Sequence, residues 1–405
     1  MRRKNTFPSR THQALIAPGF FTALCLLCAL GIICYPQASF QAAQRGLQTW
    51  WEIVFPSLLP FFIIAELLMN LGFVAFLGAL LEPAMRPLFN LPGCGGFIIA
   101  VSYLSGFPLC AILSTQLRRA GLCTKNEGER LLSFTSNASP LFMLGAVGVG
   151  MYGAPALGPF IAVIHYLSNL ICGLVLKKFS FPRGSAPEKK NIMRNALKSF
   201  LVSSQLNRKN FGQLLGETVR NVCLTLLTIG GFITLFSVLV GVLQAAGIFK
   251  LLLQLFYPLT VLLHIDASLL QGLFFGFFEI TIGIREISHS SSSLLAQILA
   301  IEALLAWNGL AIQAQITGMV FDSDLKSSKY FLTRLLQIPV AMLITLAAFR
   351  LPLEEILAVE TASGAGASPP AWGGALAFAS LVFMLVLGVI FRLLKTRRKK
   401  IIIIR

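Results

Sequence analysis

Carboxylates are scarce in this chain. Its 405 residues hold 16 Asp and Glu against 33 Lys and Arg, and charged residues of both signs reach only 12%. Soluble domains average about 25% charged residues, so a pair or trio of soluble domains, the ordinary expectation at this length, is excluded. Histidine is rare as well: His12, His165, His264 and His289 are scattered, and none stands beside an Asp or Ser in a catalytic arrangement. No Walker loop, Gly-rich nucleotide turn or nucleophile elbow occurs, which removes the common NTPase, dehydrogenase and hydrolase classes. Nothing in the chain supports an enzyme. Cys25-x-x-Cys28 has the spacing of a zinc or redox half-site, but no second Cys pair and no nearby His completes it. Cys25, Cys28, Cys34, Cys110, Cys172 and Cys223 lie in or beside apolar runs, where Cys behaves as a small hydrophobe. No metal or other cofactor is expected.

Apolar residues are what the chain has in excess, at 56% of the total and a mean hydropathy of +0.78. Runs at 15–34, 53–71, 156–176, 219–243, 330–350 and 373–394 approach or exceed the roughly 20 residues that cross a ~30 Å hydrocarbon core as a helix. The first is of full span length with no small-x-small cleavage pattern after it, so it reads as an uncleaved helix. A net charge of +17 would suit nucleic acid, but Lys and Arg gather at 2–10, 118–130, 177–209 and 392–405, each flanking an apolar run. That is the bias of cytoplasmic loops in a membrane protein. The expected partner is the lipid bilayer, and no nucleic acid. The tail Lys395-Thr396-Arg397-Arg398-Lys399-Lys400 suits anionic headgroups.

The basic residues also order the spans. Arg2, Arg3, Lys4 and Arg10 keep the N-terminus in the cytoplasm; 15–34 then crosses outward and 53–71 returns. Residues 95–117 contain Gly95, Gly96, Gly106 and Pro108. As a full span they would place Arg118, Arg119, Lys125, Arg130 and the basic loop 177–209 outside. As a re-entrant hairpin they keep both basic loops inside, and 131–152 and 156–176 form an out-and-back pair. In the second half, 219–243 crosses outward, 267–285 dips in from outside, 294–318 crosses inward and 330–350 outward. The loop 351–372, with Glu354, Glu355 and Glu360 and no Lys or Arg, is then external, and 373–394 returns. The expected fold is an all-α polytopic membrane protein of about eight transmembrane helices plus two re-entrant hairpins. Its units are 1–45, a first repeat at 46–180, a basic linker at 181–215, a second repeat at 216–350, the loop 351–372, and a last helix with its tail at 373–405.

The two repeats align on each other at an offset of 171 positions. Pro87 falls on Pro258, Phe107 on Phe278, Asn137 on Asn308, Phe61 on Phe232 and Phe160 on Phe331, without a gap. Three spans and one hairpin per copy is an odd number of crossings, which inverts the second copy. A duplicated membrane unit with interruptions at matching positions is the sequence mark of a secondary transporter.

Polar residues at membrane depth are costly and face a cavity or a neighbouring helix. In the first copy these are Ser105-Gly106-Phe107-Pro108, at the hairpin tip, and Ser136, Asn137, Ser139 and Pro140, where Pro140 interrupts an apolar span. The freed backbone groups and side chains can bind a ligand or ion, or simply form a kink with Ser hydroxyls bonded to the preceding turn. The second copy offers Glu279, which falls on Pro108, with Thr281 and Arg285, then Trp307-Asn308-Gly309 followed by Gln313 and Gln315. Glu279 either binds a coupling ion (Na⁺ or H⁺) or a substrate N–H, or pairs with Arg285 or Arg334 as a structural ion pair. Asn137 and Asn308 are expected to face each other near the midplane.

Residues 118–122 (Arg-Arg-Ala-Gly-Leu), 127–137 (Glu-Gly-Glu-Arg-Leu-Leu-Ser-Phe-Thr-Ser-Asn), Pro140-Leu141-Phe142 and 145–150 (Gly-Ala-Val-Gly-Val-Gly) resemble the sporulation integral membrane protein YlbJ family. The Phe278-Glu279-Ile280-Thr281 and Gly309-x-x-x-Gln313-x-Gln315 segments fit its second half. The resemblance covers about residues 15–350; the tail beyond carries no transferred role, and Phe107-Pro108 stands where a Tyr-Pro or similar aromatic-Pro pair is expected, a mild change. It implies a nucleoside-recognition (Gate) domain, an architecture similar to concentrative nucleoside transporters, and a role in spore development. The implied location is the mother-cell-derived outer forespore membrane, with passage of dipicolinate across it. Dipicolinate, a dianion with a pyridine ring, would suit helix N-termini and a cation such as Arg285. A nucleoside would use Asn137, Asn308, Gln313 and Glu279 as hydrogen-bond partners. A non-transporting scaffold for spore cortex assembly is the competing class.

Overall fold

A computed structural model describes residues 11–178, 192–206, 210–263 and 266–350. The expected span 373–394, the loop 351–372 and the basic tail lie outside them. Every described element is helical, as membrane-depth backbone that must satisfy its own N–H and C=O groups requires. Helix α1 (Thr11–Cys34) runs to Tyr35, where α2 (Pro36–Thr49) begins. Pro36 sits in the first turn of α2, where its missing N–H would have had no partner anyway. Helix α3 (Phe55–Asn70) turns at Gly72, φ 85°, into α4 (Phe73–Phe89).

Four described helices are long and apolar enough to cross a membrane: Leu157–Lys177, Phe211–Ala245, Leu294–Val320 and Ser328–Ala348. The number reaches six if the pair bent by 107° at Tyr35 and the pair bent by 82° between α3 and α4 are each one span. The expected span 131–152 is not one continuous helix. It divides into α7 (Lys125–Thr135), an extended stretch, and a π-helical segment, Leu141–Met151. A capping box of Thr124 and Glu127 starts α7.

Two pairs of helices are short. Helices α5 (Cys94–Ser105) and α6 (Leu109–Arg119) have 12 and 11 residues, roughly 18 Å each at ~1.5 Å per residue, too short to cross ~30 Å. They meet at Gly106, φ 79°, a conformation that favours glycine. The chain folds back there, because Cys94 Sγ lies 3.5 Å from the Leu122 carbonyl and brings the two open ends together. Helix α8 (Leu157–Lys177) completes this half, and the linker contributes α9 (Ile192–Leu206).

The second half repeats the order. Helix α10 (Phe211–Ala245) packs on α2 and α3, with Trp50 Nε1 donating to the Leu226 carbonyl at 2.9 Å; α11 (Ile248–Leu263) follows. Helices α12 (Ala267–Phe278) and α13 (Ile280–Ser288) fold back at Glu279, and a Ser291–Asp266 hydrogen bond ties their open ends. Then come α14 (Leu294–Trp307), a left-handed Asn308, α15 (Gly309–Val320) and α16 (Ser328–Ala348). Helices α8 and α16 both have 21 residues, and their first residues, Leu157 and Ser328, stand at the 171-residue offset found in the sequence.

Small residues let α12 and α13 touch: a Cβ on Gly283 would overlap the backbone of Gly276 and Gly272. Gly283→Val is therefore expected to force the pair apart and cost about 1–3 kcal/mol or more. Gly216→Ala, on an open face of α10, is expected to cost nothing. Thermal unfolding of both variants in detergent checks the contrast.

The two fold-back tips meet the breaks that follow them. Phe107 N donates to the Asn137 carbonyl at 2.7 Å, and a Cβ on Gly106 would strike Ser139. In the second half, a Cβ on Gly309 would lie 3.2 Å from the Phe278 carbonyl and 3.3 Å from that of Gly276. The open ends lie far apart. That of α12–α13 adjoins the start of α14, where Gln297 Nε2 donates to the Ser290 and Ser292 carbonyls at 3.0 and 3.1 Å. That of α5–α6 adjoins the loop after α15: Arg118 clamps Asp324 with contacts of 2.8 and 2.9 Å, and Arg119 bonds the Asp322 carbonyl at 3.0 Å. Arg118 holds the Asp324 carboxyl below the usual carboxylate range. Between those two places runs Leu294–Val320, 27 residues and roughly 40 Å of helix.

Candidate functional site

The break after α7 exposes backbone groups in the protein interior, and buried groups of that kind need partners. Ser136 is extended (φ −76°, ψ 98°). Its carbonyl accepts from Arg334 Nη1 at 2.9 Å and from Asn169 Nδ2 at 3.1 Å. The Asn137 carbonyl takes the Phe107 N–H, the Ala138 N–H goes to His165 Nε2 at 3.2 Å, and the Ala138 carbonyl accepts from Tyr166 Oη at 3.1 Å. Ser139 Oγ caps the π-helical segment by accepting from Phe142 N at 3.2 Å, and Pro140 opens that segment. Asn137 donates to the Thr135 carbonyl at 3.1 Å and accepts from Asn169.

Arg334, on α16, is fully buried. Besides Ser136 it bonds the Ser133 carbonyl and Asn169 Oδ1, the latter at 2.9 Å, and its guanidinium carbon lies 5.4 Å from the centre of the Tyr330 ring. It sits at the C-terminal end of α7, where the helix dipole favours a cation. No carboxylate pairs with it among the described residues, and its Nε has no partner. A buried positive charge held only by neutral acceptors is the chief electrostatic feature of the interior.

The second break lies against the first. Asn308, at φ 71°, donates from Nδ2 to Ser136 Oγ at 3.2 Å and to Tyr330 Oη at 3.0 Å. Its Oδ1 is buried and unpartnered, as is Ser105 Oγ. Asn308 thus reaches the residue before Asn137, which is itself turned toward Asn169. Gln313 Nε2 caps the end of α14 at the Trp307 carbonyl, 2.8 Å, and Gln315 is buried on α15. Trp307 stacks on Phe277, ring centres 5.2 Å apart, and donates to the Phe277 carbonyl.

Glu279 caps α13, accepting from Ile282 N at 2.9 Å. The ion pairs with Arg334 or Arg285 that the sequence left open do not form: Arg334 is committed to the first break, and Arg285 is exposed. Thr281 is half-buried beside Glu279. The structure therefore brings together Gly106, Phe107, Ser136, Asn137, Ser139 and Asn308, sets Glu279 at the second tip, and leaves Arg285 at the surface. Pro108 is buried at the start of α6.

Most of the bonding comes from residues that the sequence either did not mark as a site or, for His165 and Arg334, marked only as a scattered histidine and a candidate partner of Glu279. His165, Ser168 and Asn169 on α8, and Tyr330, Thr333, Arg334 and Gln337 on α16, are all buried. Gln337 Nε2 joins the two helices through Ser168 Oγ at 3.0 Å. Both sets are spaced by three and four residues, which places each on one helix face; that spacing was a usable signal.

Residues 51–173 match the Gate (nucleoside recognition) family model. The chain is 38% identical over 334 residues, 81% of each chain, to the sporulation integral membrane protein YlbJ of Bacillus subtilis. It is also 29% identical over 138 residues to an uncharacterized protein of Alkalihalophilus pseudofirmus, covering 33% of this chain and 28% of that one.

Proposed function

The chain belongs to the family of the sporulation integral membrane protein YlbJ, and from that premise we propose that it is a secondary transporter. In this reading its two halves form an inverted repeat. The pairs α5–α6 and α12–α13 are re-entrant hairpins entering from opposite faces, and the substrate is a small anionic heterocycle such as dipicolinate. The membrane crossed is the outer forespore membrane. Four lines support the inverted repeat: the 171-residue register of α8 and α16, the short fold-back pairs, their separated open ends, and their tips at adjoining breaks. Broken helices meeting at a repeat interface are how transporters build midplane sites.

The observation that carries the choice of an anion is Arg334, a buried cation without a carboxylate. A dianion arriving at the two breaks supplies the missing countercharge, and Nε supplies a free donor for it. The nucleoside reading draws on the Gate match and on the unpartnered neutral acceptors Asn308 Oδ1 and Ser105 Oγ.

Uptake of labelled dipicolinate and of labelled uridine into proteoliposomes tests this. Saturable dipicolinate uptake that uridine does not inhibit is the expected result. Uptake of uridine alone transfers the site to nucleosides, and uptake of neither favours the scaffold. Glu279→Gln keeps an acceptor for Ile282 N, so it is expected to leave the protein folded and inserted. Its uptake is expected to be lost. A fully active Glu279→Gln protein would reduce Glu279 to a helix cap.

A further inference from the structure

Glu302 lies on α14, inside the 27-residue element Leu294–Val320. It is 0% exposed, and neither carboxylate oxygen has a hydrogen-bond partner among the described residues. Its own helix surrounds it with Ile298, Leu305 and Ala306, one turn away and all buried. Glu279, another buried carboxylate, receives a backbone N–H, and Glu66 receives the Asn221 amide; Glu302 receives nothing. An ionised carboxylate left so would be among the costliest groups to hold in an apolar interior. The remedy is a bound cation or a proton. A hard cation needs about six or more oxygen ligands, and no group of three or more His, Cys, Asp or Glu side chains that could hold one occurs among the described residues. The proton is the occupant that fits.

Helix α14 packs on α16, α13, α12 and α8. On α16, Arg334 and Tyr330 are committed to the first break and to Asn308, and Lys329 pairs with Glu129 at 2.8 Å. On α13, Arg285 is exposed and Glu286 half-buried; α12 carries no titratable residue. On α8, His165 bonds Ala138 N and Tyr166 the Ala138 carbonyl, while Cys172 and Lys177 lie nearer its C-terminal end. None of these groups is ion-paired to Glu302. The carboxyl lies six residues from Asn308, roughly 9 Å along the helix. It stands on an element that touches both halves, through α16 and through α8.

We propose that Glu302 is the proton carrier of this protein: it holds one proton while α14 is packed between the halves and releases it to water when they part. The proposal rests on the transport reading and names its coupling ion. One proton moves per substrate, and no bond other than the carboxyl O–H is made or broken.

The test uses the full chain in proteoliposomes, with labelled dipicolinate and uridine as probes and the membrane potential clamped. Wild type is expected to exchange one probe without a gradient and, under an inward proton gradient, to accumulate it up to about tenfold per pH unit. Glu302→Gln reproduces the shape of the protonated acid. It is expected to continue exchange while losing all response to the gradient, and Glu302→Asp to recover part of that response. Gradient-driven accumulation by Glu302→Gln overturns the proposal. So does wild-type exchange that ignores the gradient, which leaves the transport reading standing. If no probe is exchanged by wild type, the transport reading itself fails, and the proposal with it.

Discussion

Arg334→Leu is expected to be the most damaging single substitution in the described residues. It strips donors from the Ser133 and Ser136 carbonyls and from Asn169 Oδ1, all in the interior. The Ser136 carbonyl keeps its Asn169 donor, while the Ser133 carbonyl and Asn169 Oδ1 lose theirs at about 1–3 kcal/mol each, a large part of an ordinary fold's stability of about 5–15 kcal/mol. Low membrane yield and a sharply lowered unfolding temperature are the expected readouts. Arg334→Lys separates structure from binding. It keeps the charge but loses the planar fork that reaches three acceptors, so it should fold with intermediate stability. Its affinity for dipicolinate should fall about tenfold or more, and that for uridine should not. Unchanged dipicolinate affinity in a folded Arg334→Lys protein would leave Arg334 as a purely structural clasp.

The second large effect is expected at Asn308. This residue combines a left-handed backbone with two buried side-chain bonds, to Ser136 and Tyr330. Asn308→Ala loses both bonds, about 0.5–1.5 kcal/mol each, and adds left-handed strain of about 1–2 kcal/mol. Asn308→Gly loses the bonds but not the backbone freedom. The expected order of unfolding temperature is wild type, then Asn308→Gly, then Asn308→Ala, with Asn308→Val lowest. Equal stability of the Gly and Ala variants would show that the conformation at this break carries no cost.

The order of elements was legible because the helix breakers are chemical exceptions in an apolar text. The structure breaks helices at Gly106, Pro108 and Pro140 in one half and at Asn308 and Gly309 in the other, whereas Pro60, Pro83, Pro87, Pro258 and Pro339 are carried inside helices. The short pairs were legible too, since the glycines and Pro108 of 95–117 permit a reversal and the basic residues after them favour one. The bonding partners were not. His165 and Arg334 read singly as a stray histidine and a candidate ion pair, because nothing local says that α8 and α16 converge on the first break. That convergence is a long-range fact: Arg334 reaches across to Ser133 and Ser136 of the other half. Arg285 shows the opposite failure. A cation six residues from Glu279 looked like a site residue, and helical geometry turned it to the surface. Glu302 was legible by the rule that singled out Glu279, a carboxylate in an apolar run, but it lies in a continuous helix away from any Gly or Pro break and drew no notice.

The measurement that bears most directly on the inverted repeat is the sidedness of the two fold-back pairs. Leu122 and His289 are exposed, each just beyond the open end of its pair. In a background with Cys25, Cys28 and Cys34 replaced by Ser, Leu122→Cys and His289→Cys are each treated with a membrane-impermeant maleimide. Intact spheroplasts and inside-out vesicles are compared. The account predicts that Leu122→Cys reacts only in inside-out vesicles, from the cytoplasmic face, and His289→Cys only in intact spheroplasts. Reaction of both from the same face would contradict it.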